Sequence, residues 1–497
     1  MRQIHIDHAV VKGAHRKGFR ACVGAGRAAL GLRADFQQHL TLVHTECGFE
    51  RVRFHGLFHD DMAIYRRAPD RSLDYNWMYA DALHDMILDT GMKPFVELGF
   101  MPSALASGDQ TVFDWRANVT PPASYDAWHE LVHRTVKHFT ERYGRSEVET
   151  WHFEVWNEPN HPAFFTGDMD AYFRLYEAAA RAIKSVCQGY RVGGPSTAGC
   201  EWVPQLIEFC HRRDIPLDFV TTHTYGVSGH IDEFGVKQLI MLEEPGPIVD
   251  PVRRIRKEVE SSAMPALPVH ITEWGPTFSS RDPYNDIYPC AAYVLSKLKG
   301  TEDLAESMSY WTFSDVFEET GPPPCPFHGG FGLVNVEGLR KPAFFAYQFL
   351  HQLGDEELAC SDPDTWACRS DRGVQVLFWN YTHHDQDAPN RQFYGRDLPS
   401  RPAGEATVVI SGLPAGTYEV AVHEIGYRRN DVYTDYLDLN SPTWLSRESR
   451  DRLAERNSGK SSFRPELNVA EGQSRASLPP LEVRENHVFL ILLTNKA

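Results

Sequence analysis

The sequence predicts an α/β protein, a (β/α)8 TIM barrel followed by an antiparallel β-sandwich accessory domain, and three observations carry the prediction. Between residues 15 and 325, short apolar runs alternate with amphipathic helical stretches, the rhythm of βα repeats around a parallel sheet. Eight such runs are readable, and eight units close most simply as a barrel. The proline-rich break Gly321-Pro322-Pro323-Pro324-Cys325-Pro326 ends the rhythm, and beyond it the pattern turns to the period-two alternation of antiparallel strands.

From the N-terminus, residues 2–10 are a candidate first strand of the sandwich, separated from it by the whole barrel. The barrel is expected over 15–325, with strands at 20–24, 51–55, 93–98, 150–156, 190–193, 218–223, 269–273 and 308–313. Helices fill the intervals. Tyr172, Phe173, Leu175, Tyr176, Ala179, Ala180, Ile183 and Val186 recur at the 3.6-residue period, and Gly189 stands just beyond as a stop signal. A further helix from Lys341 to Leu353 opens the accessory region, residues 341–497. Its expected strands include 374–379, 406–410, 418–422 and 487–493, and Ser446 precedes a short charged helix, 447–456, as its N-cap.

A chain of 497 residues, 42% hydrophobic and 24% charged, has the composition of an ordinary globular protein with room for two or three cores. Its 50 Lys and Arg against 67 Asp and Glu leave a formal charge of −17. That balance argues against a nucleic-acid or anionic-membrane surface, which needs clustered cations, and suits a neutral small ligand. There is no apolar run of about 18 residues and no apolar segment behind Met1, so a cytoplasmic location is expected. Nine scattered cysteines without metal spacing read as reduced, buried thiols.

Two words set a glutamate at the C-terminal end of a buried strand: Trp156-Asn157-Glu158-Pro159 and Ile271-Thr272-Glu273-Trp274. At roughly 35 to 40 residues per βα unit they stand about three units apart, on strands four and seven of the barrel. Barrel active sites lie on this rim. Two carboxylates there are the minimum equipment for hydrolysing a glycosidic bond. A competing word, His129-Glu130-Leu131-Val132-His133, has the spacing of a zinc site. Trp128, Leu131, Val132, Val136 and Phe139 form the apolar stripe of that helix, which leaves both histidines on its outer flank. A catalytic zinc needs three protein ligands and no third is evident, so no metal is expected.

In these words and others the chain resembles glycoside hydrolase family 39, the β-xylosidase family. The others are Arg53-Phe54-His55-Gly56, the run from Pro94 to Pro102 with its Phe100-Met101-Pro102, Val119-Thr120-Pro121-Pro122, Thr222-His223-Thr224-Tyr225-Gly226, Tyr310-Trp311-Thr312-Phe313-Ser314-Asp315 and Phe327-His328-Gly329-Gly330-Phe331-Gly332-Leu333. The resemblance implies a retaining, exo-acting β-xylosidase that uses no cofactor and acts on short xylo-oligosaccharides, with Glu158 as general acid/base and Glu273 as nucleophile. It also implies that Asn157 bonds the sugar 2-OH. His223 and Tyr225, two residues apart on one strand face, are placed to orient the carboxylates, and Arg53 and His55 to contact Glu273 and the sugar. Trp311 offers an apolar wall, Glu319 beside Glu318 a partner for ring hydroxyls, and Trp115 and Phe164 a leaving-group side. Phe278 departs from the family pattern, where a tyrosine is often found, and puts one sugar contact in question.

Other readings stay open. One is another retaining glycosidase of the same family, acting on an arabinoside, a glucoside or, like α-L-iduronidase, a uronide, for which a nearby Arg or Lys is expected. Another is a non-catalytic carbohydrate-binding protein, which should have lost one of the two carboxylates. Oligomeric state is not legible.

Overall fold

The structure is a computed structural model that describes residues 2–68, 72–231, 237–243 and 246–496. Eight parallel strands close a barrel in chain order: Val23–Arg27, Arg51–His55, Lys93–Leu98, His152–Val155, Arg191–Thr197, Phe219–Tyr225, Val269–Gly275 and Ser307–Tyr310, the last pairing back onto the first through Tyr310 and Val23. Three strands differ from the sequence reading by three residues or more. The first strand begins at Val23 because Gly18–Arg20 forms a 3-10 turn. The fifth continues through Gly193-Gly194-Pro195 to Thr197, where a break was expected at Gly193. The eighth ends at Tyr310, before the expected Phe313, although Phe313 N still donates to Gly24 O. Gly193 is required by close approach: a Cβ there would sit 2.3 Å from the Phe219 ring and 2.4 Å from its carbonyl.

Inside the barrel, Phe95, His152, Phe219 and His270 stack edge and face at centroid distances of 5.0 to 5.9 Å and fill its lower end, so the interior is a packed core. Outside, eight helices form the ring: Ala34–Cys47, Met78–Thr90, Tyr125–Tyr143, Met169–Val186, Val203–Arg213, Val249–Glu260, Pro289–Thr301 and Pro342–His351. The last was assigned to the accessory region by its position after the proline run. It packs instead against the first and seventh helices and completes the barrel. Phe344, Phe345, Tyr347, Phe349 and Leu350 are all buried, so this helix is apolar nearly all round, as one covered on several sides must be. The prolines lie in a loop within the eighth unit.

Apart from three two-stranded ribbons, Tyr65–Arg67 with Leu73–Tyr75, Thr111–Val112 with Ala117–Asn118 and Val227–Ile231 with Lys237–Met241, the remaining described strands form one ten-stranded sheet. Arg2–Ala14 sits within it between Glu356–Cys360, which it pairs antiparallel, and Pro402–Ser411, which it pairs in parallel from Arg2↔Ala406 to Asp7↔Ser411. That parallel pairing departs from the wholly antiparallel expectation; it is accessible because the connection between the two strands is the entire barrel. Ile4, Val376, Val408, Val420 and Ile491, from strands far apart in the sheet order, share one core, so the sheet folds over on itself as a sandwich. Ser446 accepts from Ser449 N at 3.1 Å and caps the inserted helix Arg447–Arg456. Trp366 Nε1 donates to Glu302 Oε2 at 2.8 Å and ties the sheet to the end of the seventh barrel helix. No helix among the described residues is long and apolar enough to cross a membrane.

Candidate active site

Glu158 and Glu273 reach the same cavity, of about 480 Å3, at the C-terminal mouth of the barrel. The turn after the fourth strand holds Trp156 at φ 72° and Glu158 at φ 43°, left-handed conformations that are costly for side-chain-bearing residues. Packing imposes them. Trp156 is fully buried against Phe100 and Phe165, its Nε1 donates to Phe164 O at 3.0 Å, and Glu158 N donates to Ser196 O at 2.8 Å. Glu273 needs no such turn: it lies within the seventh strand, where His270 and Thr272 face inward by alternation and a register shift between Ile271 and Trp274 turns Glu273 inward as well.

Beneath the pair lies Arg53, with no exposed surface. Its Nε donates to Glu154 at 2.5 Å, its Nη1 to Glu273 Oε1 at 2.8 Å, and its Nη2 to Asn157 Oδ1 at 3.0 Å and Ser196 Oγ at 3.1 Å, with Glu97 Oε2 2.9 Å away. Burial works against the guanidinium charge, but Glu154, Glu97 and Glu273 outweigh it and raise its pKa. Asn157 has its carbonyl oxygen taken by Arg53, which leaves its amide N–H groups to face the cavity. Tyr225 OH donates to the other oxygen of Glu273 at 2.7 Å. His223 Nδ1 lies 2.9 Å from Glu158 Oε1, and its Nε2 lies 3.2 Å from both Ser196 Oγ and Thr272 Oγ1.

The two acids are electrostatically unequal. Burial and then the Glu273 charge push Glu158 well above the usual carboxylate range, and His223, made neutral by its own burial, offers no compensating charge. Burial raises Glu273 as well, but Arg53 and the Tyr225 hydroxyl pull it back. Glu158 is therefore the acid that keeps its proton. One oxygen of each and a ring nitrogen of His223 lie within 4.8 Å of one another, the one cluster among the described residues with the spacing of a metal site.

His55 Nδ1 contacts Glu97 Oε2 at 2.6 Å, and its Nε2 stands 3.6 Å from both Glu273 and Glu319. Burial lowers its pKa to about 3, so the ring is neutral. The structure separates the adjacent pair: Glu318 turns outward to Arg27 and Arg33 at 2.9 and 3.0 Å, and Glu319 turns into the cavity. Trp311 lines one wall with its ring centroid 4.7 Å from that of His55, and Phe164 lines another. Phe278 is 38% exposed at the mouth, edge-on to Tyr225. Trp115 does not line the cavity. It stacks behind Phe113, which occupies the wall instead, under the Arg27 guanidinium. His129 and His133 lie stacked on the outer helix, where His133 Nδ1 contacts Ser185 Oγ at 2.8 Å.

Sequence reasoning passed over Glu97 and Glu154. Both lie within buried strands, one residue from the end, and are fully buried, and a buried acid needs a bonded partner. Arg53, on the strand next to that of Glu97, was the available signal. Phe113 and Phe331 sit in loops without periodicity; Phe331 falls in the word Phe327–Leu333, which marked the resemblance without marking a wall of the site, and Phe113 gave no signal.

The model of the family described as glycosyl hydrolases family 39 matches residues 2–470. A protein of Geobacillus stearothermophilus named beta-xylosidase is 43% identical over 373 residues, 73% of this chain and 74% of its own. The beta-xylosidase of Caldicellulosiruptor saccharolyticus is 38% identical over 462 residues, 91% of this chain and 90% of its own. The crystal structure of a monomeric beta-xylosidase from Caulobacter crescentus CB15 matches with a TM-score of 0.96 at 40% identity, over 100% of both chains.

Proposed function

This chain belongs to glycosyl hydrolases family 39, and we propose that it is an exo-acting β-xylosidase releasing xylose, with retention, from the non-reducing end of short xylo-oligosaccharides. The observation that carries the mechanism is the approach of Glu158 and Glu273 to within 4.8 Å through one oxygen each. Retention needs carboxyl groups about 5 to 5.5 Å apart, whereas inversion needs about 6.5 to 9.5 Å to admit a water.

In the first step an oxygen of Glu273 bonds to the anomeric carbon as the glycosidic C–O bond breaks, and Glu158 gives its proton to the departing oxygen. The bond to Glu273 removes the charge that had raised Glu158, so Glu158 becomes a base of suitable strength. It then takes a proton from water as the water oxygen bonds to the anomeric carbon and Glu273 leaves as carboxylate. Arg53 and Tyr225 hold Glu273 charged and fix its direction. The Asn157 amide donates to the 2-OH, a bond that strengthens as positive charge develops on the ring. Trp311 supplies the apolar face under the sugar.

The neutral glycone is supported by the cavity's charge: among the described lining residues there is no Lys or Arg, which a uronate would require. The presence of both carboxylates favours catalysis over a purely binding role. Nine free thiols suit a reducing compartment, in keeping with a cytoplasmic placement. The test is a panel of aryl glycosides followed by NMR of the first-formed anomer. β-Xylose is expected first from the β-xyloside; initial release of the α-anomer, or turnover of arabinosides or glucosides in its place, would refute the reading.

A further inference from the structure

The catalytic cavity continues outward. Past Phe278 and Glu319 it meets a stretch that also carries Leu239 and Ser279, and those two residues line a further cavity of about 520 Å3. The walls of that outer cavity are Gln238, then Arg281 and Asp282 of the loop after the seventh strand, and Asn390, Arg391 and Gln392. The last three come from the C-terminal sheet, in the crossover between Gly373–Asn380 and Pro402–Ser411. The crossover is clamped onto the barrel. Asn390 Nδ2 donates to Asp282 Oδ2 at 2.8 Å, Met241 N donates to Gln386 Oε1 at 3.0 Å, and Tyr288 OH donates to Leu398 O at 2.9 Å.

The two cavities differ in charge. The inner one presents Glu158, Glu273 and Glu319 and, among the described lining residues, no cation. The outer one presents, among the described lining residues, two guanidinium groups and one carboxylate. Arg391 is exposed at its lip. Arg281 donates to the backbone carbonyls of Ser280, Thr320, Gly321 and Pro322; no carboxylate is hydrogen-bonded to it, though Asp315 is near enough to act on its charge. Asp282 is already engaged, accepting from Asn390 and from Tyr284 N. On a chain of formal charge −17, this is a locally cationic hollow opening directly from the catalytic site.

We propose that the outer cavity is a leaving-group subsite for a carboxylate, so that the preferred oligosaccharides carry a uronic acid on the leaving-group side of a neutral terminal xylose. The proposal rests on the exo-acting β-xylosidase reading: with the terminal sugar on the cavity floor, the rest of the substrate leaves through the mouth. Guanidinium groups match carboxylate geometry. A groove between two packed bodies focuses their field.

The test compares kcat/KM on xylotriose with that on a xylotriose of the same linkage carrying a glucuronic acid on a leaving-group sugar. The wild-type enzyme is expected to favour the acidic substrate several-fold, and 0.5 M salt to shrink the preference because the contact is partly exposed, with a Debye length of about 3 to 10 Å over that range. Arg391→Ala should lower kcat/KM several-fold more on the acidic substrate than on the neutral one, and Arg391→Glu should reverse the preference. Turnover of xylotriose with no preference for the acid, or equal losses on both substrates in the variants, would overturn the subsite and leave the xylosidase reading standing. Failure of the wild type on xylotriose and on 4-nitrophenyl β-xyloside would overturn that reading, and the subsite's substrate with it.

Discussion

Arg53 meets three carboxylates, an amide and a hydroxyl in a space with no exposed surface. Removing a buried partner strands the charges left behind, so Arg53→Met should destabilise the protein by about 3 to 5 kcal/mol, read as a fall in thermal midpoint. Lysine should not rescue it, since one ammonium cannot reproduce the planar fork. The pH profile belongs to the two glutamates. In the proposed mechanism Glu273 acts ionised, so kcat/KM should be lost as pH falls through its pKa, and Glu158 acts protonated, so kcat/KM should be lost as pH rises through its own, higher one. Tyr225→Phe deletes a hydrogen bond to the Glu273 carboxylate, worth about 1.5 to 3 kcal/mol. That should move the acid limb upward by about one to two pH units. Glu273→Gln removes the negative neighbour and should lower the Glu158 pKa, measurable by carboxyl NMR; a Glu158 pKa left unchanged would contradict the coupling. Glu158→Ala should retain far more activity on a dinitrophenyl xyloside than on xylobiose, since a good leaving group needs no proton.

At the scale of the element, a strand-end glutamate is legible because the βα rhythm and the rim of a barrel are local and repetitive, and both Glu158 and Glu273 were picked out that way. The fifth strand was cut short because Gly193-Gly194-Pro195 carries every local sign of a break. What keeps it a strand is not local: the Phe219 ring of the next strand fills the place of the missing side chain. Gly193→Ala should therefore overpack this seam and cost about 1 to 3 kcal/mol, seen as a lower thermal midpoint than for the same substitution at Gly13, which has open space and no positive φ. The eighth helix was misassigned for a related reason. A proline run marks where an element stops, and carries no information about which layer receives the next one. Pair partners such as Arg27 and Arg33 for Glu318 were equally invisible, although they decide which of two adjacent glutamates faces the site.

Across the whole molecule, the N-terminal strand and the crossover at Asn390 lock barrel and sheet together. Arg2–Ala14 lies between two strands that no other described element joins directly, and Arg2 Nε donates to Asp362 Oδ2 at 2.7 Å. Deleting residues 2–14 should open two sheet edges, and aggregation on size-exclusion chromatography with a lowered thermal midpoint is the expected result; a monodisperse deletion variant of unchanged midpoint would show that the sheet closes without the strand. The order of barrel strands, the two acids and most of the inner wall were readable from the sequence by itself, because period and spacing along the chain dictate which side chains reach a barrel's mouth. Only the tertiary structure decided that Glu97 and Glu154 brace Arg53, that Phe113 stands where Trp115 was expected, and that the C-terminal sheet walls an outer cavity. Each of these depends on distances between segments far apart in the chain, and burial, charge coupling and shape arise from those distances and from nothing that a run of neighbouring residues encodes.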